Sequence, residues 1–287
     1  MGTLRCFGDC IMCNSIFGIN LHMRIGIISD IHSNPTALLT VLKDIEQQKC
    51  DRIVCLGDIV GYGYDPNGCI DICRERGIEC FLGNHDAGLV GKFSLDQFIP
   101  FAKNAILRQR ALVSEGNKRW LENLPYNKME GKEDNFAYAF VHGTYCLPER
   151  FDYINWFTDA VLELQYLKAQ KINVLFVGHT HQATLWLFNG DYSRVQQAYI
   201  DLDDNQEFDL SADAECAIVN VGSVGYPRVQ PYSIYGIYDT ETHIFQHRIL
   251  PFDFNDYAHK MLEANAEIPL WLESRRQEAE RHPVLWK

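Results

Sequence analysis

The fold of this chain is decided by the stretch "IECFLGNHDAGLV", residues 78–90, in which an apolar run stops at four small or polar residues. The run "IECFL" is typical of a short buried strand, and "GNHD" follows it directly. A surface turn would account for Gly83 and Asn84. It would not require the imidazole of His85 and the carboxylate of Asp86, and the same kind of ending recurs after other apolar runs of the chain.

Apolar runs alternate with amphipathic segments along the first half of the chain. The segment "NPTALLTVLKDIEQQ" predicts a helix with Asn34 as its cap and Pro35 at its first position. Further helices are predicted in "PNGCIDICRERG" and over residues 96–125 and 156–170, and residues 182–250 have a β-like pattern. The runs that predict buried strands are "MRIGIISD" (23–30), "CDRIVCLGD" (50–58), "IECFLGNHD" (78–86), "NFAYAFVHG" (135–143) and "INVLFVGHTH" (172–181). This alternation predicts an α/β fold.

Each of these five strands ends in Asp, Asn or His, and α/β sheets place ligand sites at the carboxyl ends of their strands. We therefore expect the side chains to converge on one site. On extended backbone, residues two apart point the same way, so Asp30 and His32 would face one site, as would His179 and His181. Two aspartates, one amide and four imidazoles besides His85 are too many ligands for one ion and suit two. Mixed ligands of this kind favour Mn, Fe, Zn or Co over Ca or a lone Mg. The residues that end the strands are Asp30, His32, Asp58, Asn84, His85, Asp86, His142, His179 and His181.

In this order, the motifs D-x-H, GD, GNHD, H-G and GHTH resemble those of the calcineurin-like metallophosphoesterase superfamily, over roughly residues 23–250. The resemblance implies a four-layer αββα sandwich of two mixed β-sheets flanked by helices. It also implies two divalent transition-metal ions. The implied ligands are Asp30, His32, Asp58 and His181 for the first ion, and Asp58, Asn84, His142 and His179 for the second, with Asp58 bridging.

The same resemblance implies hydrolysis of a phosphoester by a hydroxide held between the two metals. His85 would then protonate the leaving group, and Asp86 would orient the His85 ring. The non-enzymatic alternative is a catalytically silent scaffold of the same fold. An intact ligand set and the presence of His85 favour the enzyme.

Two further segments bear on the substrate. "NVGSVGYPR" (220–228) and "GDIVGYGYDPN" resemble a bacterial and archaeal phosphodiesterase-like branch, and the protein-phosphatase continuation GDxxDRG is missing. Arg228 either contacts the substrate phosphate or pairs with an acidic neighbour. Tyr62 and Tyr64 either pack in the core or stack on a nucleoside arm of the substrate. We expect a phosphodiesterase, with a dinucleoside polyphosphate hydrolase or a phosphomonoesterase as alternatives.

Composition limits the partners of the protein. A net charge of −12, from 38 acidic and 26 basic residues, argues against general binding of nucleic acid or anionic membranes. A small phosphoester or nucleotide is the expected substrate, and the oligomeric state is not predicted. The ten cysteines lie mostly in apolar runs, which favours a reducing, cytoplasmic location. No apolar run is long enough to predict a membrane-spanning helix.

We expect residues 23–287 to form a single domain that ends in a charged helical segment from about residue 252. Residues 1–22 are interpreted as a dispensable extension. Cys6, Cys10 and Cys13 have the spacing CxxxCxxC, so a metal-binding tail or a targeting segment stays an alternative.

Overall fold

Two mixed β-sheets form the centre of the protein in a computed structural model that describes residues 22–131, 136–199, 206–227 and 232–268. Within these residues each sheet has six strands, in the order β3-β2-β1-β11-β12-β9 for the first sheet and β4-β5-β6-β10-β7-β8 for the second. The strands are β1 Arg24–Ile28, β2 Arg52–Cys55, β3 Glu79–Cys80, β4 Asn127–Glu130, β5 Tyr138–Val141, β6 Val174–Val177, β7 Thr184–Phe188, β8 Gln196–Tyr199, β9 Glu207–Asp209, β10 Cys216–Asn220, β11 Tyr232–Asp239 and β12 Ile244–Pro251. The α-helices are α1 Pro35–Gln47, α2 Pro66–Glu75, α3 Asn84–Val90, α4 Pro100–Leu112, α5 Glu115–Glu122, α6 Phe157–Gln170 and α7 Phe254–Glu263.

Helix α1 forms where the sequence predicts it. The side chain of Asn34 accepts a hydrogen bond from the backbone N–H of Ala37 at 3.1 Å, and Pro35 occupies the first helical position. Leu38, Val41 and Ile45 recur at helical spacing and are buried against the first sheet. The cap and the apolar stripe therefore explain both the start of the helix and its packing.

The molecule has four layers. Between the sheets, Ile27 of β1 and Val54 of β2 pack in one core with Phe140 of β5 and Phe176 of β6. Helices α1 and α2 cover the outer face of the first sheet, and α6 covers the outer face of the second. The predicted αββα sandwich of two mixed sheets is confirmed.

The parallel strands of both sheets bring their carboxyl ends to one edge. Strands β1, β2 and β3 are parallel neighbours in the first sheet, and β5, β6 and β10 are parallel neighbours in the second. Strand β3 has only two residues, and "GNHD" is the start of helix α3 rather than a loop. Gly83 caps this helix, and its backbone N–H donates to the Asp86 carboxylate at 3.1 Å.

The ends of the chain are only partly described. Helix α7 falls within the predicted C-terminal helical segment, whereas residues 1–21 and 269–287 lie outside the described residues. The single-domain boundaries and the dispensable extension therefore stay predictions. No helix within the described part of the chain is both long and apolar enough to cross a membrane.

Candidate metal centre

Three ligand atoms from the first and second sheets meet after strands β1 and β6. The Nε2 atom of His181 lies 3.3 Å from Oδ1 of Asp30 and 3.1 Å from Nε2 of His32. The Nε2 atom of His32 lies 3.6 Å from the same Asp30 oxygen. All three residues are buried, so these polar atoms face one another away from solvent.

A second cluster adjoins the first through Asp58. Oδ2 of Asp58 lies 3.3 Å from Nε2 of His142 and 3.6 Å from Nε2 of His32. Oδ1 of Asn84 lies 3.1 Å from the same His142 nitrogen, and His179 groups with Asp58 and His142. One carboxylate oxygen of Asp58 therefore faces both clusters, and the structure brings together all seven residues predicted as ligands.

Five of these predicted ligands have left-handed backbone conformations. The φ angles are +54° at Asp30, +46° at His32, +54° at Asp58, +68° at His179 and +61° at His181. Our reasoning that D-x-H and H-x-H pairs face one site on extended backbone is therefore wrong, although each pair does reach one site. A non-glycine residue in this region costs about 1–3 kcal/mol and persists where the surrounding structure enforces it, commonly at functional sites.

Backbone N–H groups hold both aspartates. Oδ2 of Asp30 accepts from the N–H of His179 at 3.0 Å, and Oδ1 of Asp58 accepts from the N–H of His85 at 2.8 Å. Each carboxylate thus uses one oxygen to fix its orientation and presents the other to the centre. A Cβ atom at Gly178 would lie 2.6 Å from Oδ2 of Asp30, so only glycine permits this approach.

The imidazoles are oriented by backbone carbonyls. Nδ1 of His32 contacts the carbonyl oxygen of Val60 at 3.0 Å, and Nδ1 of His181 contacts that of Tyr226 at 2.7 Å. Because a carbonyl oxygen only accepts, both Nδ1 atoms carry the proton, and in the neutral rings the Nε2 lone pairs face each other. That arrangement is repulsive unless a cation lies nearby.

Two buried polar atoms that lack hydrogen-bond partners also favour a metal ion in this centre. Oδ1 of Asp30 and Nε2 of His179 are buried and have no hydrogen-bond partner within the described residues. Buried polar atoms in proteins nearly always have partners, so unpaired acceptors beside facing lone pairs fit a metal ion. The side chains present therefore suit divalent metal binding.

Burial and neighbouring charges together shift the pKa values of the side chains in the centre. Burial raises the pKa of Asp30 and of Asp58, but His181 beside the first and His142 beside the second outweigh it and hold both pKa values below the usual range. Burial lowers the pKa of His142, but Asp58 outweighs it and raises that pKa to about 9. The aspartates are therefore ionised at neutral pH, as metal ligands must be.

His85 lies at the edge of the centre, with Nε2 4.0 Å from Oδ2 of Asp58. Asp86 was predicted to orient its ring, and this is wrong. The Asp86 carboxylate accepts from the backbone N–H groups of Ile59, Val60 and Gly83, and Nδ1 of His85 has no hydrogen-bond partner among the described residues. Adjacent residues of a helix point in different directions, so Asp86 fixes the loop after β2 instead.

The residues predicted to contact the substrate lie in different surroundings. The Tyr62 ring stacks with Tyr226 at 4.1 Å and with Phe101 at 5.6 Å between ring centroids. The hydroxyl of Tyr64 hydrogen-bonds to Thr36 at 2.7 Å, and its ring packs near Tyr257. Tyr62 therefore packs among other aromatic rings and also lines a cleft beside the centre, whereas Tyr64 packs away from the centre. Arg228 lies outside the described residues.

Sequence reasoning missed Gln109, a buried residue of α4. Its Oε1 accepts from the N–H of Gly61 at 2.7 Å and from the hydroxyl of Ser33 at 3.1 Å, and its Nε2 donates to the carbonyl of Gly63 at 3.0 Å. Gln109 thus joins the loops after β1 and β2. A Gln on an otherwise mixed helix face has no distinctive local pattern.

The segment 220–226, read only as a substrate signal, also supports the centre. The Ser223 hydroxyl donates to the Asp30 carbonyl at 3.0 Å, and the backbone N–H of Gly225 donates to the same oxygen at 3.0 Å. Asn220 donates to the carbonyl of Gly178. A sixth strand end therefore braces the two loops that carry Asp30 and His179.

A cleft of about 370 Å³ adjoins the centre and was not predicted. Tyr62, Asn84, His85 and His179 line it together with residues of the segments 93–102 and 150–153. The available signal was the long stretch between His142 and helix α6, since a long loop after a ligand often carries function.

Comparisons with known proteins agree with the family resemblance predicted from the sequence motifs. The sequence model of the calcineurin-like phosphoesterase superfamily domain matches residues 23–243. An uncharacterized protein of Methanocaldococcus jannaschii is 35% identical over 207 residues, which are 71% of this chain and 77% of that protein. The crystal structure of a metallophosphoesterase from Sphaerobacter thermophilus is similar with a TM-score of 0.72 and 32% identity, covering 88% of this chain and 97% of that one. A hypothetical protein from Pyrococcus horikoshii shares the fold with a TM-score of 0.67 and 15% identity, covering 87% and 95%.

Proposed function

The chain belongs to the calcineurin-like phosphoesterase superfamily and is a metal-dependent phosphoesterase, and on that premise we propose that it hydrolyses phosphodiesters at a dinuclear centre. Asp30, His32, Asp58 and His181 would hold one ion, and Asp58, Asn84, His142 and His179 the other. The observation that carries this proposal is the position of Asp58, whose Oδ2 atom lies 3.6 Å from Nε2 of His32 and 3.3 Å from Nε2 of His142.

The donor set favours Mn, Fe, Zn or Co, because imidazole and carboxylate ligands together suit these ions. Metal ions held by these residues would supply positive charge to the phosphoryl oxygens and would lower the pKa of a bound water. Asn84 is a neutral ligand, so two divalent ions and the two aspartates leave a charge of about +2 in the centre. A cationic centre attracts phosphate although the whole chain is acidic.

We assign to His85 the transfer of a proton from Nε2 to the leaving oxygen. Its ring lies at the junction of the centre and the cleft, where a leaving group would depart. Burial lowers the pKa of His85 to about 3 in the protein alone. An anionic phosphoryl group beside Nε2 favours the imidazolium, so substrate binding and protonation of His85 would be coupled.

A diester suits the cleft better than a monoester does. A monoester is a dianion at neutral pH, and its transition state generally calls for cationic donors besides the metals. Among the described residues that line the cleft, Arg150 is the one cation, and its side chain is 60% exposed. The cleft offers room for the second arm of a diester.

The test is a comparison of two chromogenic esters with Mn-loaded protein. We expect kcat/KM for bis-nitrophenyl phosphate to exceed that for nitrophenyl phosphate. A preference for the monoester that disappears in Arg228→Ala would contradict the diesterase proposal and identify a phosphomonoesterase whose extra cation is Arg228.

A further inference from the structure

Two chain segments line the cleft beside the metal centre. One wall comes from the segment 93–102, which contributes Phe93 and Phe98, and the other from residues 150–153. Its volume of about 370 Å³ lies at the lower end of the range for organic ligands in proteins. The cleft can therefore hold one compact arm of a substrate whose phosphorus lies at the centre.

Aromatic side chains adjoin the histidines at both sides of the cleft. The Phe98 ring meets the His85 ring edge-on, with centroids 5.2 Å apart and an interplanar angle of 81°. The Tyr153 ring stacks on His179 at 3.7 Å and 15°, and Tyr153 is 44% exposed. The arm of a substrate in this cleft would thus meet aromatic surfaces, which suit a flat organic group.

Arg150 supplies the charge of the cleft. Its Nε atom lies 3.0 Å from Oδ2 of Asp152, and its Nη2 atom lies 3.4 Å from Oδ1 of the same carboxylate. Within the described chain the Arg150 side chain makes no other hydrogen bond. Asp152 therefore orients one edge of the guanidinium, and the other edge keeps N–H groups in the fork geometry that matches phosphate or carboxylate.

The segment that carries Arg150 is held in place. Phe151 is buried in a left-handed conformation with φ of +53°, and its ring packs against Phe93 at 5.1 Å and His142 at 6.1 Å. Upstream of Arg150, the N–H of Tyr145 donates to the buried carboxylate of Glu163 in α6 at 2.6 Å. A site on a fixed segment can discriminate between ligands.

Arg150 lies at the exposed part of the cleft, in contrast to the buried residues of the centre. The ligand residues are at most 7% exposed, whereas the Arg150 side chain is 60% exposed. We propose that Arg150 is a specificity residue that binds an anionic group on the second arm of the diester, while the flat part of that arm lies against Phe98 and Tyr153. The substrate class is a nucleotide-like diester whose arm carries a further phosphate or carboxylate. This inference rests on the proposed diesterase function.

The experiment compares three nitrophenyl diesters with Mn-loaded protein. Nitrophenyl thymidylate has a neutral arm, the same ester with a second phosphate on the sugar has an anionic arm, and nitrophenyl phosphorylcholine has a cationic arm. We expect a preference for the anionic over the neutral arm of about two- to fivefold, as for an ion pair at an exposed side chain. The preference should shrink as ionic strength rises.

Arg150→Ala should abolish this preference and change kcat/KM for the neutral arm little, and Arg150→Glu should shift the preference towards the cationic arm. The matched control is Arg194→Ala, which removes an exposed arginine that pairs with Asp191 at 3.5 Å and does not line the cleft. It should leave the preference intact.

Three results would overturn the inference. The first is a wild-type protein that turns over the neutral and anionic arms equally, and the second is a loss in Arg150→Ala that is the same for all three esters. If the wild type hydrolyses none of the diesters, the proposed function itself fails. Calorimetric titration with thymidine monophosphate and thymidine bisphosphate then tests anion binding by Arg150 without any hydrolysis. Equal affinities for the two ligands are the third result.

Discussion

Gly61→Ala tests the position of the His85 ring, because it displaces that ring without removing any predicted metal ligand. Gly61 has φ of +90°, and a Cβ atom there would lie 2.7 Å from Cγ of His85 and closer still to Nδ1. Ordinary contact begins at 3.4 Å, and because Nδ1 is the nearer atom the ring must move by more than about 1 Å. A misplacement of about 1 Å at a reacting group can cost about 10²-fold in rate, and we expect a loss of 10- to 100-fold in kcat.

The assay measures kcat with Mn-loaded protein on a thymidine dinucleotide, whose leaving group needs a proton, and on bis-nitrophenyl phosphate, whose leaving group does not. The loss should be greater on the dinucleotide, and metal content should be unchanged. Gly77→Ala is the control, because Gly77 has φ of +63° and a Cβ atom there would have no neighbour within 4 Å. Both variants should lose about 1–2 kcal/mol of stability from left-handed backbone. Equal kcat in the two variants would refute the reasoning.

Three further predictions concern the ligands, His85 and the contact between the sheets. Asp58→Asn should lower metal occupancy at both positions and Asp30→Asn mainly at one, as measured by elemental analysis; equal losses in the two variants would contradict the shared role of Asp58. His85→Ala should keep its metal and lose about 10²–10⁴-fold in kcat on a thymidine dinucleotide, with a smaller loss on bis-nitrophenyl phosphate; equal losses would mean that His85 positions phosphate. Glu130 of β4 pairs with Arg52 of β2 at 2.6 Å. Burial raises the pKa of Glu130, but the charges of Arg52 and Lys128 outweigh burial and lower this pKa from 4.5 to about 2. Because the folded-state pKa is the lower one, ionised Glu130 stabilises the fold above about pH 4.5 and this contribution is lost as the pH falls towards 2. Glu130→Gln should therefore lower the free energy of unfolding by up to about 1 kcal/mol at pH 7, and by less at pH 3, in urea titrations; a cost that does not depend on pH would contradict the assignment.

The parts of the fold that depend on local pattern were predictable. Asn34 and Pro35 mark the start of α1, and polar residues after each apolar run mark where the strands end. The convergence of those residues follows from parallel strands, whose carboxyl ends share an edge. Strand β3 proved shorter than its apolar run, because pairing with β2 includes only Glu79 and Cys80.

Side-chain directions within the centre were less predictable. Left-handed backbone at Asp30, His32 and His181 is enforced by contacts with distant loops, so no local rule predicts it. The same holds for Tyr62, whose ring stacks with residues from two other segments, Phe101 and Tyr226. Tertiary packing decides whether an aromatic residue is available to a ligand.

The role of Asp86 shows why a family motif does not specify each contact. The four letters GNHD place His85 and Asp86 side by side in sequence, but helix α3 turns the carboxylate towards the N–H groups of Ile59 and Val60. Arg150 lacked any pattern of its own, since its position beside the cleft depends on the burial of Phe151.

The central claim is that one carboxylate, Asp58, serves two metal ions, and the metal content of the purified protein tests it most directly. After reconstitution with Mn and removal of unbound metal, elemental analysis should find close to two ions per chain, because seven residues offer eight ligand contacts when Asp58 is shared. A ratio of no more than one ion per chain would contradict the dinuclear centre.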